Sequence, residues 1–556
     1  MLRPVFTRRT RGVSRAFTNR FAKGGAGHRR RMRARPLALE SLETRALLAV
    51  DWVSQGPSPS QNGQVENITN KEVVGSVHTV LAHPTNPNVL YIGASNGGIW
   101  KTENATAASP SWVPLTDSMP SLSIGALALD PTDASRQTLV AGIGLYSSWM
   151  RLGGSRAGLL RTTDGGAAWS VINGGGTLVG KNISGVAARG DTFVVSVNTA
   201  DSFITSNLGI FRSTNGGGTF TRISDGGSSG LPAGWSYDLA SDPTNNAILY
   251  TSIVSSGTGN GVYKSTDTGA TWTKVSSSAI DALITSQVSN LEITVGNHNN
   301  VYVGIVRNGN PVGFFRSGDG GGSWAQMDAP KTNENGTDVG LNPRGVKGPG
   351  PGSEPADIAG GQGTMHVSLV ADPDNPNLVY VGGDRQPRSH GDTGSFPNSI
   401  GANDYSGRLF RGDASAVSGS QWVHLTHSSS LGAAGGGTAG SSAPHADSRD
   451  MTFDAAGNII EVDDGGVYRR TSPKTNTGNW FSVNGSLRVT EIHDVAYDPI
   501  SNILMSGNQD TGTTEQIVSG GAAWRSVSTG DGGDVSVDSV TLAASGRSIR
   551  YSSFQY

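Results

Sequence analysis

An eight-residue segment recurs four times at nearly constant spacing, and it constrains the fold more than any other feature of the sequence. The copies begin at Thr162, Ser213, Ser265 and Ser317, with spacings of 51, 52 and 52 residues. The third position of each copy is Asp164, Asn215, Asp267 or Asp319, and the last is Trp169, Phe220, Trp272 or Trp324. Repetition at a fixed period of about 20–50 residues is typical of architectures built from stacked, similar units.

The residue types of these four box segments (162–169, 213–220, 265–272 and 317–324) are those of a tight turn. An Asp or Asn side chain accepts hydrogen bonds from backbone N–H groups a few residues onward, and glycine adopts positive φ without steric cost. Short apolar strands, such as Leu159-Leu160 and Phe314-Phe315, precede the segments. We therefore expect Asp164, Asn215, Asp267 and Asp319 to shape turns, and the four aromatic residues to pack between sheets.

Each repeat predicts four short antiparallel strands. A Pro/Asn turn that leads into a strand recurs between the box segments, as in 83–91, 242–250 and 372–380. Four strands in roughly 50 residues are typical of one blade of a β-propeller. Degenerate copies reach Trp112, Trp422, Trp480 and Trp524. The prediction is an all-β propeller of about seven to nine blade-like units over 51–556, with a long, strand-free Gly/Pro/Asn-rich loop at 329–365.

Residues 529–556 read as the opening of a further unit. Two interpretations follow. In one, the chain is a fragment of a larger surface protein and is truncated within a blade. In the other, the last strands close the ring with the N-terminal strand.

The charge is distributed unevenly along the chain. Residues 1–49 hold 13 of the 42 Lys and Arg residues and 2 of the 44 Asp and Glu residues, so the remainder holds 29 and 42. An acidic body disfavours nucleic acid as a partner. Cysteine is absent, which excludes disulfides and cysteine-ligated metals. No apolar run approaches the roughly 20 residues that a membrane-spanning helix needs.

The N-terminal 50 residues predict a basic, disordered tail. Within it, the segment Leu37-Ala38-Leu39-Glu40-Ser41-Leu42-Glu43-Thr44-Arg45-Ala46-Leu47-Leu48-Ala49 resembles the L-E-x-R-x-L-L-A motif near the start of many large extracytoplasmic proteins of planctomycete bacteria. This resemblance implies a secreted or cell-surface location. The alternative is a flexible tail that binds anions nonspecifically.

Phrases at both ends of the body resemble the bacterial secreted Asp-box (BNR-repeat) propellers, which are related to sortilin-type propellers and xyloglucan-hydrolysing glycosidases. The phrases are Gly97-Gly98-Ile99-Trp100, His445-Ala446-Asp447, Asp464-Gly465-Gly466, Gln509-Asp510 and Gly530-Asp531. The resemblance implies a propeller but no single activity, since this fold hosts many functions. In the xyloglucan hydrolases a catalytic Asp precedes the first Gly-Gly, where this chain has Ser95 and Asn96.

Polar residues in the last units form the candidate site. Its possible catalytic carboxylates are Asp447, Asp464, Asp510 and Asp531, and its possible binding residues are His445, Arg449, Asp463, Gln509 and Asp534. Carboxylates with a histidine bind a cation or a sugar, whereas Asp-Gly-Gly phrases also simply form turns. Trp149 and Trp235 are candidate exposed rings for stacking on sugars.

Two functions follow from this pattern. The preferred prediction is an extracytoplasmic binding or scaffold propeller that recognises a polysaccharide or a cell-surface protein through its loops. The alternative is a glycoside hydrolase with a displaced pair of carboxylates. No cofactor is expected apart from a possible structural cation, and the sequence identifies no metal.

Overall fold

The protein is described from a computed structural model, which covers residues 53–199, 207–334, 336–342, 361–386, 401–403, 406–427 and 437–554. The chain divides into two units, Met1–Val53 and Ser54–Tyr556, and every element below belongs to the second. The predicted basic tail and export motif lie outside the described residues, so both remain predictions.

Seven four-stranded antiparallel sheets follow a short strand, β1 (Ser60–Gln61). Blade 1 contains β2 (Val77–Ala82), β3 (Leu90–Ala94), β4 (Ile99–Thr102) and β5 (Trp112–Pro114). Blade 2 contains β6 (Ile124–Leu129), β7 (Leu139–Ile143), β8 (Leu159–Thr162) and β9 (Ser170–Ile172). Blade 3 contains β10 (Asn182–Arg189), β11 (Thr192–Asn198), β12 (Gly209–Ser213) and β13 (Thr221–Arg222). Blade 4 contains β14 (Leu239–Ser241), β15 (Leu249–Ile253), β16 (Gly261–Ser265) and β17 (Thr273–Lys274).

The α-helix α1 (Ser278–Leu283) leads to blade 5, which contains β18 (Val288–Val295), β19 (Val301–Arg307), β20 (Asn310–Ser317) and β21 (Ala325–Met327). A hairpin of β22 (Lys331–Glu334) and β23 (Thr337–Gly340) follows. Blade 6 contains β24 (Ser368–Ala371), β25 (Leu378–Arg385), β26 (Gly407–Asp413) and β27 (Trp422–His424). Blade 7 contains β28 (Asp450–Phe453), β29 (Ile459–Asp463), β30 (Gly466–Arg470) and β31 (Trp480–Ser482). Short 3-10 helices occur at Thr69–Lys71, Gly257–Gly259 and Ala543–Ser545.

These seven blades form a closed ring. The first strands of successive blades pack against one another, and β2 of blade 1 packs against both β6 of blade 2 and β28 and β29 of blade 7. The closing contact is apolar, because Val77 and Ile92 share one buried cluster with Ile460 and Val462. The described part of the chain is thus an all-β propeller, as predicted, with seven blades in the ring.

The eighth four-stranded unit lies beside the ring rather than in it. It contains β32 (Ile492–Asp498), β33 (Ile503–Asn508), β34 (Gly512–Gln516) and β35 (Trp524–Ser526). Strand β1 extends this outer sheet by pairing parallel with β35, Ser60 opposite Trp524. The N-terminal strand therefore does not close the ring. A distal hairpin of β36 (Gly532–Asp538) and β37 (Ile549–Phe554) packs against β32.

The box segments form turns between the third and fourth strands of blades 2 to 5. Asp164 accepts a hydrogen bond from the backbone N of Ala168 at 3.0 Å, and Asn215 accepts one from Thr219 N at 3.0 Å. Phe220 and Trp272 are buried, and Trp169 and Trp324 pack against core clusters. These contacts agree with a structural role for the box segments.

The prediction of a strand-free loop at 329–365 is wrong for its first part, because Lys331–Glu334 and Thr337–Gly340 form the hairpin β22–β23. The fully buried Arg408 holds it through Val339 O at 3.0 Å and Thr332 Oγ1 at 3.1 Å. An Asn-Gly pair at 335–336 is a strong hairpin signal that the Gly/Pro-rich composition of the surrounding segment obscures.

Candidate functional site

Topology brings the candidate residues to one face of the molecule. In an antiparallel blade, the connections from second to third strand and from blade to blade leave at one end, and the connection from third to fourth strand leaves at the other. Asp464 lies between β29 and β30, Asp510 lies between β33 and β34, and Asp447 lies between blades 6 and 7. The box segments occupy the opposite end, so the two sets of aspartates are segregated.

A cavity of about 230 Å³ opens on this loop face, where blades 6 and 7 meet the outer sheet. Four predicted residues line it: His445, Asp447, Asp510 and Asp531. Arg385 and Gln362 also line it, and neither was predicted. The imidazole Nε2 of His445 lies 3.2 Å from the backbone carbonyl oxygen of Asp510. This contact connects the ring of blades to the outer sheet.

Beneath the cavity, His366 lies between two of the carboxylates. Its Nδ1 is 3.3 Å from Asp447 Oδ1 and its Nε2 is 3.3 Å from Asp464 Oδ2. Neither contact has hydrogen-bond alignment, so both are ion pairs in geometry. Burial opposes the charged imidazole, but the two carboxylates outweigh it and raise the pKa of His366 to about 9.

The two carboxylates that face His366 are held ionised. Burial alone would raise the pKa of Asp447, but the His366 charge keeps it below the usual range. For Asp464, Arg449 and His366 together overcome burial and hold the pKa well below the usual range. Arg449 Nε pairs directly with Asp464, and Ser148 Oγ donates to Asp464 at 2.7 Å.

Asp510 is in the opposite protonation state and carries a proton. Burial, together with the negative charges of Asp464, Asp447 and Asp531, raises the pKa of Asp510 well above its usual range. Gln509 Nε2 donates to Asp510 Oδ1 at 3.0 Å and to Asp531 Oδ1 at 2.9 Å, which brings these two carboxyl groups together. Asp510 Oδ2 has no hydrogen-bond partner among the described residues.

Asp447 and Asp510 both have left-handed backbone conformations, with φ of 72° and 59°. Non-glycine residues in this region carry a strain of about 1–3 kcal/mol that the surrounding structure must support, and such residues are concentrated at functional sites. Both residues line the same cavity.

Two predicted residues do not join the cavity. Asp463 is fully buried, where its carboxylate accepts hydrogen bonds from Gly465 N and Gly466 N at 2.8 Å and shapes the turn. Asp534 is exposed on β36 of the distal hairpin and does not line the cavity. Trp149 and Trp235 are half-buried rather than exposed, and Trp149 packs edge-on against His493 with ring centroids 5.2 Å apart.

The position before the first Gly-Gly carries no carboxylate of its own, but one lies beside it. Ser95 is buried against Ser76, with the two Oγ atoms 2.6 Å apart. Asn96 Nδ2 donates to Glu491 Oε1 at 2.7 Å, so a carboxylate from the segment before β32 faces this position. Glu491 was missed by the sequence reasoning because no motif marks it.

The site fits a resident cation poorly. Ligand atoms of His366, Asp447 and Asp464 lie within 4.8 Å of one another. However, Arg449 already supplies a positive charge to Asp464, and a divalent ion would add to it.

A second set of acidic side chains, which includes Asp238 and Asp450, lines a cavity of about 200 Å³ in the central channel. Asp238 accepts from Leu239 N and Ile293 N at 2.6 and 2.7 Å, and Asp450 accepts from Val80 N at 2.9 Å. These carboxyl groups join neighbouring blades through backbone hydrogen bonds. Burial raises the pKa of Asp238 to about 7 and that of Asp450 to about 6.

The fold and this face define a β-propeller with an acidic, carboxyl-lined cavity. Its relatives in sequence are xyloglucanases. The chain is 31% identical over 234 residues to a xyloglucanase of Hypocrea jecorina, a match that covers 36% of this chain and 26% of that protein. It is 28% identical over 247 residues to a xyloglucanase of a Paenibacillus species, covering 39% and 23%. The matches thus span about a quarter of each relative, and no protein-family model matches the chain.

Solved structures share the fold. A GH74 enzyme of Niastella koreensis superposes with a TM-score of 0.52 at 16% identity, covering 89% of this chain and 66% of that one. An ancestral GH74 enzyme superposes with a TM-score of 0.50 at 16% identity, covering 82% and 54%. The protein therefore shares the β-propeller fold of these enzymes. Within the described residues, the helices are too short or too polar to span a membrane.

Proposed function

We propose that this protein is a glycoside hydrolase that cleaves a polysaccharide of the xyloglucan or related β-glucan class, with Asp510 as the general acid and Asp447 as its carboxylate partner. The similarity to xyloglucanases supports this activity over the binding or scaffold role that the sequence favoured. The proposal implies a location outside the cytoplasm, in keeping with the predicted export motif.

One observation carries the proposal: two carboxyl groups on one cavity have pKa values pushed in opposite directions. Burial and neighbouring carboxylates keep Asp510 protonated, whereas the His366 charge keeps Asp447 ionised against the effect of burial. Pairs of titratable groups whose environments separate their pKa values mark the acid and base of a catalytic site. Glycoside hydrolysis requires one carboxylic acid and one carboxylate.

The chemistry follows from these states. The Asp510 carboxyl group donates its proton to the glycosidic oxygen, which becomes the leaving alcohol. The Asp447 carboxylate either takes a proton from the attacking water or attacks the anomeric carbon directly, depending on the separation of the two groups in the complex. Gln509 orients Asp510 and Asp531 through its amide N–H groups. No cofactor is needed for these steps.

A test compares substitutions on the two faces of the blades. We expect Asp510→Asn and Asp447→Asn to lower the release of reducing ends from xyloglucan by roughly 100-fold or more, because acid–base groups contribute about 10²–10⁴-fold. Asp267→Asn is the matched control, since Asn215 occupies the same position in another box segment.

Two results would oppose the proposal. Full activity in both site variants would exclude these carboxylates. Tight binding of xyloglucan by wild-type protein without any release of reducing ends would favour the binding propeller instead. That second candidate is supported by Asn96, which replaces the carboxylate expected from the resemblance to xyloglucan hydrolases.

A further inference from the structure

A histidine outside the cavity contacts two carboxylates at once. His366 is 1% exposed, and it lies just before β24 without lining the cavity. Its two ring nitrogens face Asp447 Oδ1 and Asp464 Oδ2, each at 3.3 Å. Neither nitrogen has a hydrogen-bond partner among the described residues. The ring is therefore dedicated to these two carboxylates.

The protonation state of this ring follows from the geometry. A neutral imidazole has one N–H and one lone pair, whereas the imidazolium has an N–H on both nitrogens. A neutral His366 would therefore direct a lone pair at one of the two carboxylates, in a buried setting where that repulsion is poorly screened. Only the imidazolium satisfies both contacts.

The charges of the other titratable groups near His366 leave room for a positive charge on its ring. Arg449 neutralises Asp464 from its far side. Burial, followed by the charge of Arg449, holds the pKa of His78 well below its usual range, so that ring is neutral. Burial and the charge of Asp447 raise the pKa of Asp384 to about 7, so it adds only part of a negative charge.

We infer that His366 is a positioning residue, an imidazolium that keeps the Asp447 carboxylate ionised and oriented toward the cavity. This inference rests on the proposed role of Asp447 in glycoside hydrolysis. His366 acts through Asp447 and does not touch the substrate. Asp464 and Arg449 hold the opposite side of the ring, so the base is fixed by a buried chain of alternating charges.

The chain of charges predicts a pH window. The folded-state pKa of His366, about 9, lies above the usual value of about 6.5. The stabilisation that this protonated ring contributes is therefore full below about pH 6.5 and is lost as the pH rises through about 9. Asp447 is ionised throughout this pH window, because its own pKa lies below the usual carboxyl range.

The decisive variant is His366→Gln, whose amide is similar in reach but carries no charge. We expect the acid limb of the kcat/KM–pH profile to move upward by about 1–3 pH units, because an adjacent opposite charge lowers a carboxyl pKa by that amount. A histidine with a purely structural role would lower activity or Tm without moving this limb, and that result would overturn the inference.

His424→Gln is the matched control. His424 is also buried, but its Nε2 lies 2.9 Å from Thr426 Oγ1 rather than beside a carboxylate, and burial holds its pKa well below the usual range. This variant reports the cost of removing a buried imidazole from the propeller. We expect an unchanged acid limb.

A measurement on the wild-type full chain separates this inference from the proposed function. In protein labelled with ¹⁵N-histidine, assigned by comparison with His366→Gln or His366→Asn, the His366 nitrogens should show the doubly protonated signature at pH 7 and titrate near pH 9. That signature without hydrolytic activity would leave the imidazolium in place and overturn only the activity. A neutral tautomer at pH 7, or signals that shift only when Zn²⁺ is added, would overturn the inference itself.

Discussion

Arg449 offers the sharpest test of how the loop face is held together. Its side chain is fully buried, and it joins the start of blade 7 to the long connection in blade 2. Nε pairs with Asp464, Nη1 donates to Tyr146 O at 2.7 Å, and Nη2 donates to Ser148 Oγ at 2.8 Å. Arg449→Met keeps an unbranched apolar stem but removes all of these donors.

The loss of stability in Arg449→Met depends on the buried groups that lose their partner. Removing one partner of a buried ion pair costs about 3–5 kcal/mol, because the other charge stays buried without compensation. The Tyr146 carbonyl also loses a donor, and an unsatisfied buried acceptor costs about 1–3 kcal/mol. His366 still faces Asp464 and limits the loss. We therefore expect a decrease of about 3–5 kcal/mol in the free energy of unfolding near pH 7.

Urea unfolding followed by tryptophan fluorescence measures this change, with Arg525→Met as the control. Arg525 also pairs with a carboxylate, at 2.6 Å from Glu515, but its side chain is 52% exposed. Arg550 Nη1 also pairs with Glu515, at 2.6 Å, so the carboxylate keeps a partner in this variant, and we expect a loss of about 0–1 kcal/mol. Equal losses in the two variants would refute the reasoning from burial. The double variant Arg449→Met/Asp464→Asn should recover part of the loss, since it also removes the stranded charge.

Two further substitutions test other parts of the structure. Arg408→Met should destabilise the hairpin β22–β23, because Arg408 donates to Thr332 Oγ1 and Val339 O. Limited proteolysis should then cut within 331–340 in this variant and not in Arg525→Met. An uncut hairpin would contradict the anchoring role of Arg408. Gly466→Ala should lower the free energy of unfolding by roughly 2–4 kcal/mol, because φ is 137° and the new Cβ would lie 2.1 Å from Asn484 Oδ1. Gly457→Ala, at φ 78° with open space around it, is the matched control and should cost about 1 kcal/mol; equal losses would exclude the clash as the cause.

The blade structure could be predicted from the sequence because each blade repeats the same local signals. A box segment specifies its own turn through contacts such as Asp164 to Ala168 N, which involve residues only four apart. Ring closure could not be predicted in this way. The outer sheet has the same strand pattern as a blade. Contacts between blade 1 and blade 7, such as those of Val77 and Ile92 with Ile460 and Val462, distinguish the ring from a longer array.

The candidate site was predictable where motifs marked it and not elsewhere. His445, Asp447, Asp510 and Asp531 occur in recognisable phrases, and they line one cavity. His366 carries no such mark, because its role depends on two carboxylates that follow it at distant positions in the sequence. Its importance arises from tertiary contacts alone.

The proposed base and acid, Asp447 and Asp510, lie in different parts of the molecule. Asp447 belongs to the ring, whereas Asp510 belongs to the outer sheet, and β1 fixes that sheet by pairing Ser60 with Trp524. The same N-terminal stretch continues into the ring, where Val65, Ile68 and Val73 pack in the core of blades 6 and 7. This continuous segment therefore contributes to the position of the acid relative to the base. Because a displacement of about 1 Å from a distant mutation can cost roughly 100-fold in rate, the proposed chemistry requires the packing of this segment as much as the carboxyl groups themselves.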